Sequence, residues 1–547
     1  MLEHRTPGRS RRTTLLVGAI VVAALAAVLA LALRLSGNEG VVLTGTSTYV
    51  EGVSGTWQRV NPLFASANEV DADLSELVFS GLVRIGPDGQ VEPDLADLPQ
   101  ITDEGRTYTF KLRKGLTWHD GQPLTSRDVA FTVRTVTSND FNGDQALAEG
   151  WRGADIDVPD DQTFVVKLRQ PSAPFLARSA TVGILPEHLL GSIAVEQMED
   201  APFNAAPVGS GPYKVESMDS REARLVANPA YHLGKPGVDR LILKFYTDDA
   251  SAIRALQSGD VRGLLLRETA AQGQLTDLRK VKDTRVDQLE RSTQVLLYLN
   301  TTNTLFRDQL VRQAISLGVD RRAIVDKDFA GAATVSSSPI APRTWAYVGE
   351  YDFVNRDLEK ARALLKEAGW EPSATTGILT RAGQEFRFVI RVDNDPVRVA
   401  VATDIATQLG DLGIRATVAS TTFTVLNLDY LVPRRYAAAV AAWEQGPDPD
   451  PYFGWHSSQM GTAGLNLANF EDPVTDELIA KGRTSTDIEV RKDSYRQFQE
   501  IWQDLAPGIV IAYPHAIYAH PDGLKNVMQG VLFSGADRFE DVQEWRQ

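Results

Sequence analysis

The chain has 547 residues, 43% of them apolar, and no cysteine, which leaves ample material for burial and excludes disulfides, thiolate metal sites, a cysteine nucleophile and a lipid-modified cysteine anchor. That length exceeds what one hydrophobic core usually supports and predicts two or three domains. The formal charge is −15 even though the first 34 residues are basic, and so acidic a body lacks the footprint a nucleic-acid partner needs.

Residues 1–12 carry Arg5, Arg9, Arg11 and Arg12 against Glu3, and residues 13–33 that follow are uncharged. Such a run makes about 30 Å of helix, enough for one bilayer crossing. The preceding arginines keep 1–12 in the cytoplasm and send the chain beyond Arg34 outside. Ala30-Leu31-Ala32 is an A-x-A cleavage site of the signal-peptide kind, but the apolar run is longer than the roughly 7–15 residues of a signal, so an uncleaved anchor is expected. Residues 34–44 read as a short tether.

After Asn61-Pro62, a turn, Leu74, Leu77, Val78 and Leu82 predict a helix ending at Gly81. Residues 106–113 alternate, with Tyr108, Phe110 and Leu112 on one side, as a half-buried strand does. Trp118-His119-Asp120-Gly121 and Pro123 then supply turn chemistry. Thr125 and Asp128 have capping-box spacing, and Val129, Val133 and Val136 continue as a helical face. Strands are expected at 163–168, 241–245, 295–300, 386–392 and 414–418. Helices are expected after the N-cap Asp308, at 357–368 before Gly369, at 403–412 before Gly413, and at 494–505 before Pro507. Alternating helices and strands with short connections imply α/β layers.

Local motifs for catalysis are absent. The seven histidines have no i, i+4 pair, and there is no HExxH, EF-hand or P-loop, so neither a metal nor a cofactor is expected. Gly209-Ser210-Gly211 fails as a nucleophile elbow because Val208 stands where the first glycine is required. A triad assembled by the fold leaves no local trace.

Several long stretches together resemble the extracellular solute-binding proteins of ABC importers, family 5, of dipeptide- and oligopeptide-binding type. They are Leu112-Arg113 through Asp128-Val129, Phe79-Ser80-Gly81-Leu82, Pro93-Asp94-Leu95-Ala96, Leu185-Pro186-Glu187-His188 and Pro207-Val208-Gly209-Ser210-Gly211-Pro212-Tyr213. Further matches are Asn228-Pro229-Ala230-Tyr231, Leu256-Gln257-Ser258-Gly259-Asp260 and the region around Asp308. The resemblance spans about residues 45–515. It implies an α/β fold of periplasmic-binding-protein type II, with two hinged lobes and an extra inserted subdomain, here preceded by one N-terminal transmembrane helix. Lobe I would comprise 45–76, 206–290 and 506–547, the inserted subdomain 77–205, and lobe II 291–505.

The implied role is reversible capture, not catalysis. A peptide would be held between the lobes and delivered to ABC permease subunits, by a monomer anchored in the cell membrane with its binding domain extracytoplasmic. Within the class, oligosaccharides, metal chelates and glutathione-like compounds compete with peptides; a membrane-tethered sensor and a secreted hydrolase are rivals from outside it. The implied ligand-binding residues are Asn68, Glu69, Arg391, Asn394, Trp443, Glu444, Gln445, Gly446 and Asp448. One departure stands out. The family has an ammonium-binding aspartate where this chain has Gly446, and an ammonium buried without a counter-charge costs several kcal/mol. Glu444, two residues earlier, is the substitute expected from sequence.

Overall fold

The computed structural model describes residues 47–267, 272–351, 355–462, 464–527 and 530–547. The basic segment, anchor and tether expected over 1–44 lie outside the described residues. Among the described residues no helix is long and apolar enough to cross a membrane.

Twelve strands form one mixed sheet: β1 (Thr48–Ser54), β2 (Tyr213–Met218), β3 (Glu222–Ala227), β4 (Arg240–Tyr246), β5 (Gly263–Leu266), β6 (Thr284–Glu290), β7 (Thr293–Leu299), β8 (Ala333–Val335), β9 (Arg387–Asp393), β10 (Arg415–Thr421), β11 (Ala438–Glu444) and β12 (Gly508–Pro521). The order is β10-β9-β11-β7-β12-β5-β1-β4-β3-β2, with β6 and β8 also paired to β12. β1 runs parallel to β4 and β5, and β9 parallel to β10 and β11. β7 is buried from Gln294 to Leu299, the continuous apolar run expected of a strand covered on both faces.

β12 joins the two halves. Its first part pairs with β7, from Tyr298↔Gly508 to Val295↔Ala512, and its second part with β6, from Glu290↔His515 to Thr284↔Pro521. The changeover falls at Tyr513-Pro514, where proline has no N–H to give a ladder. Beside it the chain passes from β6 to β7 through Arg291-Ser292. Two strand crossings therefore lie side by side between the halves, and the ladder between them is interrupted there, while β8 pairs the other side of β12 from Val335↔Ala512 to Ala333↔Pro514.

Each half has its own packing. On one side Tyr49, Leu77, Phe110, Val133, Tyr518 and Trp545 belong to one core. On the other, Phe306, Ile315, Trp370, Ile390 and Ile405 pack under one sheet face and Tyr298, Trp455, Phe498 and Trp502 under the opposite face. A small antiparallel sheet of Gln100–Thr102, Thr107–Lys111, Thr163–Lys167 and Asp155–Asp160 lies in the stretch between β1 and β2, with Phe110 and Phe164 in the first core. The helix α1 (Glu69–Val78) precedes this sheet, and α2 (Ser126–Thr137) lies between its strands in sequence. Both halves of the α2 capping box are formed, Thr125 N donating to Asp128 Oδ2 at 2.8 Å.

Local structure departs from the sequence expectation in three helices. α1 ends at Val78, so Leu82 leaves the helical face, and Val83–Ile85 pairs with Val91–Pro93. A Cβ on Gly81 would lie 2.5 Å from the Thr181 carbonyl oxygen, so that backbone takes the space a further helical turn would need. The helix expected at 403–412 is α3, Pro396–Gly410, started by the cap Asp395 with proline at its first turn. The one expected at 494–505 is Ile488–Leu505, capped by Asp487.

The His119 turn is a packing device. His119 Nδ1 accepts from Gly209 N at 3.2 Å, and its Nε2 lies 3.0 Å from Gly211 O. A Cβ on Gly209 would come within 1.8 Å of Val78 O, so only glycine lets this loop pass the end of α1.

Candidate functional site

β11 is a strand of small residues followed by Gln445-Gly446-Pro447-Asp448-Pro449-Asp450-Pro451. Its prolines cannot extend a ladder, so the sheet stops and the chain turns outward into the short helix Tyr452–Trp455. Asp450 Oδ1 accepts from Tyr452 N at 3.1 Å and fixes that turn.

The turn forms one wall of a cavity of about 1370 Å³. Trp443, Glu444, Gln445, Gly446 and Phe453 face it from this side, Ser75, Glu76, Arg84, Asp537 and Glu540 from the first half, and Arg152, Arg169 and Arg178 from the segment between β1 and β2. Contacts cross its rim. Ala173 N donates to Arg483 O at 2.9 Å, and Arg483 Nη2 stands 3.7 Å from Glu149 Oε1. The Arg483 guanidinium also pairs with buried Asp450 and lies 4.3 Å from the centre of the Tyr452 ring.

The walls carry both signs of charge. Glu76, Asp537 and Glu540 converge from opposite ends of the chain. Burial, above all, pushes the Asp537 carboxyl up to about 7, with the Glu76 charge adding to it. Glu76 is likewise pushed up to about 7, mainly by withdrawal from water. Glu540 rises for the same first reason, with Glu76 next, while Arg84, 3.7 Å away, opposes both.

Four of the nine residues expected from sequence line the cavity together: Trp443, Glu444, Gln445 and Gly446. Half-exposed Glu444 holds Arg291 at 3.2 Å, beside the strand crossing. Its carboxyl is raised by loss of solvent, an effect Arg291 opposes and the Glu69 charge reinforces. The Gln445 side chain is spent on its own lobe, Nε2 donating to Pro339 O at 2.7 Å and Oε1 accepting from Ala341 N at 3.1 Å. Asp448 lies behind the wall on Arg491. Asn68 caps α1 and Glu69 reaches Arg267 at 3.1 Å. Arg391 stacks on Tyr430 at 4.2 Å, and Asn394 is exposed next to it; neither lines the cavity. Sequence reasoning missed Glu76, Arg84, Arg178, Asp537 and Glu540, none of which sits in a local motif.

Among the described residues no group of histidine, aspartate or glutamate side chains is arranged to hold a metal ion.

Two α/β halves joined by paired strand crossings, with a cavity between them whose walls carry charges of both signs, have the build of a solute-binding protein. The chain belongs to the bacterial extracellular solute-binding proteins, family 5, whose middle-region sequence model matches residues 90–464. It is 33% identical to Protein XP55 of Streptomyces lividans, over 82% of this chain and 80% of that one. The solved structure of the oligopeptide-binding protein AppA from Bacillus subtilis, in complex with a nonapeptide, is 26% identical, has a TM-score of 0.71, and covers 91% of this chain and 98% of its own. NikZ from Campylobacter jejuni, in complex with Ni(L-His), is 25% identical with a TM-score of 0.74, covering 92% and 100%.

Proposed function

We propose that the chain is the substrate-binding component of an ABC importer, which captures peptides between its lobes and passes them unaltered to a membrane permease. The observation that carries this reading is the cavity of about 1370 Å³ beside the two strand crossings. A small-molecule site occupies roughly 300–1,000 Å³, so this one suits an extended oligomeric guest. Walls of both signs suit a zwitterion, and paired crossings with the ladder between them interrupted suit hinge motion. Binding falls to Trp443 and Glu444 on one wall and to the lining charges opposite, with Gln445 holding the wall in shape.

The segment 13–33 serves as a single-pass anchor in this reading, holding a monomeric binding domain outside the cell and raising its effective concentration at the permease. The partition into lobe I (45–76, 206–290, 506–547), an inserted subdomain (77–205) and lobe II (291–505) is part of the same proposal.

A second reading, with a non-peptide solute in the same cavity, rests on one observation: Gly446 offers no carboxylate where the resembling family binds a peptide ammonium. Mass spectrometry of solutes co-purified with the full-length chain under native conditions separates the two. A mixture of peptides supports peptide capture, and a single uniform glycan or chelate overturns it.

A further inference from the structure

We propose that Arg178 is the receptor for an anionic group of the ligand, a carboxylate, at the Gly446 end of the cavity. The inference rests on the reading of this chain as a solute-capturing protein and adds the charge of the solute's end at this wall.

Of the five arginines that line the cavity, four are committed. Arg84 is shared among Glu92, Glu540 and Asp541, and Arg483 is held by Asp450 and Glu149. Arg152 Nη2 donates to Gln145 Oε1 at 2.6 Å, and Arg169 Nε to Gly153 O at 3.0 Å. The Arg178 side chain makes neither a hydrogen bond nor an ion pair among the described residues. Its Nε is buried without an acceptor, and its one close partner is the Phe453 ring, 5.2 Å away. Asp450 feels its charge but lies beyond ion-pair distance and is taken by Arg483.

A partly buried guanidinium with open donors is costly to keep, and its planar fork fits a carboxylate through two parallel hydrogen bonds. The wall opposite is shaped to leave it open. A Cβ on Gly446 would sit 3.8 Å from the guanidinium carbon and from Nη2, so the absence of a side chain there keeps the charged face toward the cavity. A Cβ at 446 meets only ordinary contacts, and an aspartate built on it would place a carboxylate beside the guanidinium. Position 446 therefore decides whether Arg178 is neutralised from within or by the guest. Phe453 and Tyr452 complete an aromatic surround in which Arg178 and Arg483 are already stacked.

The test exposes the full-length chain to equimolar mixtures of random tetrapeptides lacking Asp and Glu. One mixture has free carboxyl ends, a second has C-terminal amides, and a third has amides with one internal Glu. A fourth mixture contains neutral trisaccharides and their uronic-acid counterparts. Retained solutes are quantified by mass spectrometry for the wild type, Arg178→Gln, Arg178→Lys and Gly446→Asp. Preferential retention of the first mixture assigns Arg178 to a terminal carboxylate, and of the third to a side-chain carboxylate. In either case Arg178→Gln reduces retention of the preferred acids about tenfold or more, both it and Gly446→Asp abolish the preference for acids over amides, and Arg178→Lys falls between. If Arg178→Gln does not fold, Gly446→Asp, which removes no contact, carries the test. Equal retention of acids and amides by the wild type, or an unchanged preference for acids over amides in Gly446→Asp, overturns the assignment. Retention of uronic-acid sugars without peptides upholds Arg178 and overturns peptide capture. Retention of neutral sugars alone, or of nothing, overturns both.

Discussion

Arg491 grips Asp448 through both carboxylate oxygens, Nη2 to Oδ1 at 2.6 Å and Nη1 to Oδ2 at 2.9 Å, with both side chains buried. The guanidinium also lies 4.6 Å from the centre of the Trp345 ring and donates to Gly482 O. This pair ties the turn after β11 to the helix Ile488–Leu505 from behind the cavity wall. Removing one partner of a buried pair leaves the other charge uncompensated, which costs about 3–5 kcal/mol. Asp448→Asn is therefore expected to lower stability by about 3 kcal/mol in urea unfolding, while the folded protein keeps its ligand affinity. A stable variant with weakened binding would instead put Asp448 in contact with the ligand.

Glu444 has the opposite profile. Its side chain is 47% exposed, it lies on the cavity, and among the described residues its ion pair is with Arg291 at the strand crossing. Glu444→Ala is expected to weaken peptide binding by more than about tenfold in calorimetry, through loss of a charge at the cleft and of a link from the cleft to the crossing. Unchanged affinity would remove Glu444 from the site.

The carboxyl cluster makes stability depend on pH with a definite sign. Unfolded aspartate and glutamate titrate near 4, whereas Glu76 and Asp537 hold their protons up to about 7 in the fold. Between those values the folded state binds more protons than the unfolded one, so the contribution of these groups is complete below about pH 4 and is lost as pH rises through about 7. His119 works the other way. Burial lowers it to about 4, so its contribution is present above about 6.5 and is lost as pH falls through about 4. Only a variant isolates one slope. Asp537→Asn is expected to lose less stability than the wild type between pH 5 and pH 8 in urea unfolding; identical losses would show that Asp537 is ionised throughout.

Much of this fold is legible in the sequence wherever the physics is local. The strand at Thr107–Lys111 declares itself by alternation and α2 by a capping box, because both signals lie within a few residues of what they control. α3 shows where such reading stops short. Its true start is marked by Asp395-Pro396, but Val397 and Val399 are only partly buried there, so the apolar periodicity becomes strong only further along. Half of the cavity could not be read at all. Glu76 meets Asp537 and Glu540, and Arg178 meets Gly446 and Phe453, only after the chain has folded across its whole length. No spacing in the sequence records either meeting. Asp448 and Gln445 lie in the right stretch, yet Asp448 turns back onto Arg491 and the Gln445 amide is used on Pro339 and Ala341, partners more than forty residues away in the first case and more than a hundred in the second, which no local spacing records.

Capture requires two lobes to close on a guest at the crossings Arg291-Ser292 and Tyr513-Pro514. Because the chain has no cysteine of its own, cysteines introduced at exposed Lys114 and Glu489 would carry spin labels at those two places alone. Pulsed electron resonance then reads the distance between them, with and without the tetrapeptides the chain retains. Lobe closure gives a broad distribution that narrows and shortens on loading, with the peptide recovered intact afterwards. A distribution unchanged at full occupancy, or a peptide recovered cleaved, would contradict it.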